Sequence, residues 1–266
     1  MARSVIALLT DFGTRDHYVG AMKGVMLAVC PDATLVDLSH DVPAHDVRAG
    51  ARLLASCYAY FPAGTVFLAV VDPGVGSARR GLAADVGDYR LVGPDKRLLS
   101  AVLHERPPKR VVELTERKYA RPTLSRTFEG RDRFAPAAAW LAKGVALTSL
   151  GRGVAAYERL PCSLPVESPD GLDGVVERVD RFGNLITNLD RQRVEGLLRG
   201  GAVAVRVAGR EVPRLVDTYS QAALGEVCAL FGSTDHLEIA ANGGRAVDSL
   251  GAAVGSPVEV RRSHGL

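Results

Sequence analysis

The chain has 266 residues, is 47% hydrophobic and 24% charged, and carries a net charge of +3. That is an ordinary soluble globular composition, long enough for one large domain or for a large and a small one. The charge is too small and the arginines too scattered for a nucleic-acid arm, and the first apolar run, VIALL, is too short for a signal-peptide core or a membrane span.

The first half alternates strand and helix. SVIALLT is an apolar strand that ends at Asp11. GAMKGVMLAV has helical periodicity and stops at Cys30-Pro31. ATLVDL is a second strand. DVRAGARLLASCYAYF is an amphipathic helix that Asp46 can cap, ending before Pro62. TVFLAVV is a continuous apolar run of the kind buried on both faces of a sheet. RLVGPD, a helix starting near Arg97, KRVVEL and the helix DRFAPAAAWLAKG follow. This alternation predicts an α/β domain over residues 1–160 with a mostly parallel sheet.

The pattern changes after about Gly151. Pro161, Pro165 and Pro169 read as a linker. Beyond it GVVERVD, NLITNL, AVAVRVAG, EVPRLV, EVCALFG, HLEIAA and SPVEVRR are short β runs separated by turn residues. They predict an all-β, barrel-like domain over residues 170–266. The terminal RRSHGL reads as a solvated tail. Cys30, Cys57, Cys162 and Cys228 show no CxxC spacing and no secretory signal precedes them, so reduced thiols and a cytoplasmic setting are expected.

In a parallel sheet, function is expected at the C-terminal ends of the strands. The first strand ends in TDFG and the third in VVDPGVGSARR, which presents Asp72, Gly74, Gly76 and Arg79 in one short turn. The turn is neither a GxGxxG fingerprint nor a GxxxxGK[ST] loop. A plain turn accounts for its glycines but not for Asp72 and Arg79 together. A second cluster is TFEGRDRFAP, where Asp132 can cap the following helix, but capping does not explain Glu129. DRFGN at residues 180–184 and NGG at residues 242–244 would each pass for ordinary loops.

Taken together, LLTDFGTRDHYVGAMKGV, DVPAHDVRAGARLL, FLAVVDPGVGSARR, TFEGRDRFAPAAA, DRFGNLITN and STDHLEIAANGG resemble the S-adenosylmethionine hydroxide adenosyltransferases. These adenosine-forming hydrolases are relatives of the bacterial fluorinase and chlorinase. The resemblance covers nearly the whole chain. It implies an N-terminal α/β domain, a C-terminal β-barrel, and a homotrimer with S-adenosylmethionine held between subunits. It implies S-adenosylmethionine as substrate, with no separate cofactor and no metal. Asp72 and Arg79 would belong to the set that activates water for attack on C5′. The family usually has a histidine before GRD, and here Glu129 stands there. A carboxylate there can take the water's proton and pair with Arg79, or it can repel an incoming hydroxide. His17, His40 and His45 offer no replacement by spacing, although His45 aligns near a substrate-contacting position.

By the same resemblance Asp11 would accept the ribose hydroxyls. Asp180 and Asn184 would bind the amino-acid end or nearby polar groups, and Phe182 would pack on the adenine. Asn242 would read the adenine edge, while Ser233 and Glu238 would hold the methionine carboxylate and ammonium. For Ser233 a plain turn hydroxyl is an equal reading. Three other functions compete. A halide-using synthase is disfavoured by Asp72, an anion beside the nucleophile, and by the short segment from Gly81 to Leu91. A non-catalytic S-adenosylmethionine or adenosine binder is kept open by Glu129. A metal phosphohydrolase finds no HxH or HxxxH cluster.

Overall fold

The computed structural model describes residues 4–161, 164–199 and 201–262. Cys162 and the tail beyond residue 262 lie outside the described residues. Two compact units divide the chain, Met1–Leu160 and Pro161–Leu266.

The first unit holds strands β1 (Val5–Thr10), β2 (Thr34–Ser39), β3 (Val66–Val70), β4 (Gly81–Asp85), β5 (Arg90–Pro94) and β6 (Arg110–Glu113). Its helices are α1 (Tyr18–Val29), α2 (Val47–Cys57), α3 (Ser100–Glu105) and α4 (Ala135–Ala142). The sheet is six-stranded in the order β2-β1-β3-β5-β4-β6. The β1–β2, β1–β3 and β3–β5 pairs are parallel, and β4 is antiparallel to β5 and β6. This is the mostly parallel α/β sheet expected, with β4 added. GLAAD has no β-branched residue, so its local preference for a strand is weak. Burial between β5 and β6 overrides that preference: Ala83 and Ala84 are fully buried.

The strand pleat sorts the core into two layers. Ile6 and Leu8 point to the side of α1 and α4, against Met22, Met26 and Ala138. Ala7 and Leu9 point to the side of α2 and α3, with Leu54 and Val102. Every residue of β3 is buried, as its unbroken apolar run requires. Asp46 caps α2 by accepting from Ala49 N at 2.9 Å. Asp132 is not a cap. It lies inside a π-helical turn, Gly130–Phe134, ahead of α4. Its buried carboxylate accepts from Arg131 Nε, Arg121 Nη1 and Ser125 N.

The second unit contains β7 (Val166–Ser168), β8 (Gly171–Val179), β9 (Leu185–Asp190), β10 (Val203–Val207), β11 (Arg210–Val212), β12 (Val227–Phe231), β13 (His236–Ala241) and β14 (Pro257–Arg262). They form an eight-stranded antiparallel, nearly closed barrel-like sheet, β11-β10-β14-β8-β9-β13-β12, with β7 added beside β8. Leu172, Val176, Leu185, Val205, Ile239 and Val260 fill its interior. Several details differ from the sequence expectation. β7 falls within the proline-marked stretch, and Pro213 ends β11 early because it has no N–H for the ladder. Arg261 and Arg262 complete β14, as the run SPVEVRR implies, and so do not belong to the tail read from RRSHGL. Two helices, α5 (Arg191–Leu198) and α6 (Ala246–Leu250), interrupt the β pattern. Among the described residues no helix is long and apolar enough to cross a membrane.

Candidate active site

β1 and β3 are neighbours in parallel, with Thr10 opposite Val70. Asp11 and Asp72 therefore follow the C-terminal ends of adjacent strands, where open α/β sheets bind ligands. After Asp72 the chain makes two short turns, Val75 N to Asp72 O at 3.2 Å and Ser77 N to Gly74 O at 3.1 Å. Gly76 has a φ of 79°. A Cβ there would lie 2.6 Å from the Arg126 carbonyl, so only glycine lets this loop meet the segment leading to Glu129.

The turns return Arg79 to Asp72. Arg79 Nε donates to both Asp72 oxygens at 2.9 and 3.0 Å, and Nη2 donates to Oδ2 at 2.5 Å. Nη1 donates to Glu129 Oε2 at 2.8 Å. Arg133 Nη1 approaches the same Glu129 oxygen at 3.6 Å. The guanidinium also lies over the Phe134 ring, 5.2 Å from its centroid. Side-chain exposure is 2% for Arg79, 5% for Asp72 and 10% for Glu129. These three predicted residues, 50 positions apart between Arg79 and Glu129, are one buried ion cluster.

Burial by itself disfavours the charge on Arg79 more than any other single influence. The hydrogen bonds and charges of Asp72, then of Glu129, outweigh it together and raise its pKa. Arg79 is thus a permanent cation in fixed geometry. Arg79, Asp72 and Glu129 alone sum to one negative charge, which Arg133, 3.6 Å from Glu129, offsets. Among the described residues Glu129 Oε1 takes no hydrogen bond. The cluster can therefore orient a polar molecule beside a fixed cation and accept a proton from it. Phe128, next to Glu129 in sequence, packs edge to face against Phe12 and Tyr18, and the three rings give this end of the sheet an apolar wall.

Asp11 is not joined to that cluster by a hydrogen bond. Its Oδ2 accepts from His45 N at 2.9 Å, and among the described residues Oδ1 accepts nothing. His45 meets Asp11 through its backbone, not its imidazole. His17 stacks against Tyr18, and His40 is buried beneath the Asp11 turn.

In the second unit Asp180 organises its own turn. Oδ1 accepts from Phe182 N and Asn184 N, both at 2.9 Å, and Oδ2 accepts from Asn184 Nδ2 at 3.1 Å. Gly183, with a φ of 83°, completes the turn. Phe182 is thrown outward, 71% exposed, which suits a ring that packs on a ligand. Glu238 is buried and accepts from the Tyr219 hydroxyl at 2.7 Å. Burial pushes the Glu238 carboxyl up, and the negative charge of Asp180 adds to that, against the lowering effect of the Tyr219 bond. Asn242 Nδ2 donates to Ala222 O at 2.8 Å, while among the described residues Oδ1 takes no bond. Ser233 follows Gly232 in the turn between β12 and β13.

Sequence reasoning missed Arg133, Phe134 and Tyr219, and set His40 aside on spacing. Arg133 and Phe134 stand in the same quoted motif as Glu129, so their proximity was available. Tyr219 lies in an unremarkable loop, and nothing local ties it to Glu238. Among the described residues no group of His, Cys, Asp and Glu side chains is arranged to hold a metal.

Two family profiles match the chain: the SAM hydroxide adenosyltransferase N-terminal domain over residues 6–151 and its C-terminal domain over residues 174–259. The (R)-S-adenosyl-L-methionine hydrolase of Salinispora tropica is 41% identical, over 96% of this chain and 97% of its own. A fluorinase from an Actinoplanes species is more distant, 30% identical over 90% and 91% of the two chains. The crystal structure of an uncharacterized conserved protein from Thermotoga maritima superposes with a TM-score of 0.91 at 34% identity. It covers 97% of this chain and all of its own.

Proposed function

This chain belongs to the SAM hydroxide adenosyltransferase family, and on that premise we propose that it hydrolyses S-adenosylmethionine to adenosine and L-methionine. The observation that carries the mechanism is the buried Asp72–Arg79–Glu129 cluster.

The sulfonium makes C5′ electrophilic, and the leaving group departs as neutral methionine, so no general acid is needed. The difficult partner is the nucleophile, because bulk water is a very weak acid and almost none of it is hydroxide at neutral pH. Arg79 stabilises the developing hydroxide, and its grip on Asp72 holds the guanidinium in place. Glu129 takes the proton at Oε1 as the oxygen attacks C5′ in line with the departing sulfur. Asp11 accepts from the ribose hydroxyls with the oxygen that His45 leaves available. Asp180, Asn184, Phe182, Asn242, Ser233 and Glu238 serve the adenine and amino-acid ends, with Glu238 taking the ammonium. S-adenosylmethionine is itself the substrate, and no further cofactor or metal enters the scheme. We also propose a cytoplasmic homotrimer with sites between subunits, which light scattering of the purified protein tests.

A halide synthase fits less well. Asp72 would sit beside the halide as an anion, which costs binding even with Arg79 and Arg133 close to the two carboxylates. Product analysis separates the readings. Incubation with S-adenosylmethionine yields adenosine and methionine under this proposal. A 5′-halo-adenosine that appears only with added halide would establish a synthase, and recovery of intact ligand would establish a binder.

A further inference from the structure

The loop after β2 braces the end of β1 from about thirty residues away. Gly13 N donates to His40 O at 2.8 Å, and Val42 N to Thr10 O at 3.4 Å. His40 Nδ1 and Thr10 Oγ1 are 2.8 Å apart, with Thr10 fully buried and His40 5% exposed. His45 N donates to Asp11 Oδ2 at 2.9 Å. His45 reaches that position with a φ of 66°, a left-handed conformation unfavourable for a residue other than glycine. Four contacts thus converge on residues 10–13, the turn that carries Asp11.

His40 is itself held from behind. Its Nε2 lies 3.0 Å from Asp37 Oδ1, a close electrostatic approach without the alignment of a hydrogen bond. Asp37 is gripped in turn by Lys23 Nζ of α1 at 2.7 Å. The carboxylate favours the proton on Nε2. Nδ1 is then an acceptor, and the Thr10 hydroxyl donates to it. The lone pairs of Oγ1 remain for Phe12 N, which donates to it at 3.2 Å. The opposite tautomer would turn a lone pair toward Asp37 and leave the buried Thr10 hydrogen without this acceptor. That tautomer therefore serves the Thr10 hydroxyl and Phe12 N together and turns its Nε2 proton toward Asp37.

We propose that His40 is a positioning residue for ribose recognition: through Thr10 it holds the strand-end turn so that Asp11, anchored on one oxygen, keeps the other for the ribose diol. The inference rests on the reading that Asp11 binds the ribose of S-adenosylmethionine.

The test is calorimetric binding of adenosine and of 2′,3′-dideoxyadenosine to the full-length protein and three variants. The parent should bind adenosine more tightly than the dideoxy analogue. His40→Leu removes the acceptor and should lose about 10-fold or more in adenosine affinity, while the analogue stays within about 2-fold. Thr10→Val keeps the β-branched shape without the hydroxyl and should give the same selective loss, so the result does not hang on one variant folding. His40→Asn can place its side-chain oxygen near the position of Nδ1 and should restore much of the preference. Equal loss for both ligands in His40→Leu and Thr10→Val would make the brace merely structural and overturn the inference. Unchanged preference in both would also overturn it. A parent that binds adenosine no better than the analogue would instead remove the ribose role of Asp11 itself, a distinguishable failure.

Discussion

At the scale of single residues, the chemistry turns on which charge Glu129 carries to a site that already holds Asp72. Two carboxylates share the Arg79 guanidinium, so Arg79 is a neutralising bridge, and under the proposed function it is also the electrostatic catalyst. Arg79→Ala would leave Asp72 buried without its cation and Glu129 with only the longer approach of Arg133, and breaking such a cluster typically costs about 3–5 kcal/mol. Arg79→Lys is the sharper probe. It keeps the charge but cannot grip both acids at once, so the protein should fold while kcat falls by about 10²-fold or more. Binding of adenosine by Arg79→Lys should change far less than turnover, and parallel loss of both would make Arg79 a substrate anchor. Glu129→Gln keeps the shape and loses the proton acceptor. Its kcat should drop by about 10²-fold, the usual worth of a positioned general base. Glu129→His should retain or raise activity, because an imidazole titrates near neutrality and adds no negative charge beside Asp72. Steady-state rates that leave Glu129→Gln equal to the parent would assign water activation to Asp72 and Arg79 alone.

At the scale of elements, the loop between β3 and β4 works because it is pressed against the segment before Glu129. Gly76→Ala would push a methyl group into the Arg126 carbonyl and force alanine to a φ of 79°. The expected cost is of order 1–3 kcal/mol of backbone strain, relieved by moving the loop and Arg79 with it. Thermal unfolding should show a modest loss of stability, and kcat should fall more than adenosine affinity. A fully active Gly76→Ala would show that the loop needs no such contact. Periodicity made most elements of the first unit legible, including α2 with its Asp46 cap. Two readings failed for physical reasons. β4 has weak local preference and becomes a strand through its neighbours. Asp132 looked like a cap from its place ahead of α4, yet the π-helical turn carries it into the interior and three donors claim its carboxylate. Local sequence does not encode such a turn.

At the scale of the whole molecule, the candidate groups divide between the two units, and how readable they were depended on distance along the chain. Asp180, Phe182, Gly183 and Asn184 act within one short turn, so their geometry follows from adjacent residues. The Arg79–Glu129 bond spans 50 positions and Tyr219–Glu238 spans 19, and only the fold brings such partners together. Glu238 gives the second unit a pH signature. Its folded pKa is raised, so its contribution to stability is fully present below the ordinary glutamate value of about 4.3 and is lost as pH rises through the folded value. Above that folded value the ligand-free protein buries a carboxylate whose desolvation the Tyr219 bond and the Arg178 charge do not fully offset. Glu238→Gln should raise the ligand-free melting temperature near neutrality and flatten its decline with pH, while weakening S-adenosylmethionine binding. A lower melting temperature across that range would mean that the ionised side chain is already compensated.

The most direct measurement for the central claim is turnover of S-adenosylmethionine, stereospecifically deuterated at C5′, in oxygen-labelled water. Direct attack by water predicts adenosine whose 5′-hydroxyl carries the solvent label and whose C5′ configuration is inverted. Retention at C5′ would contradict the account, since it requires a covalent intermediate on the protein. An unlabelled 5′-hydroxyl would contradict it equally, since the oxygen would then not come from water.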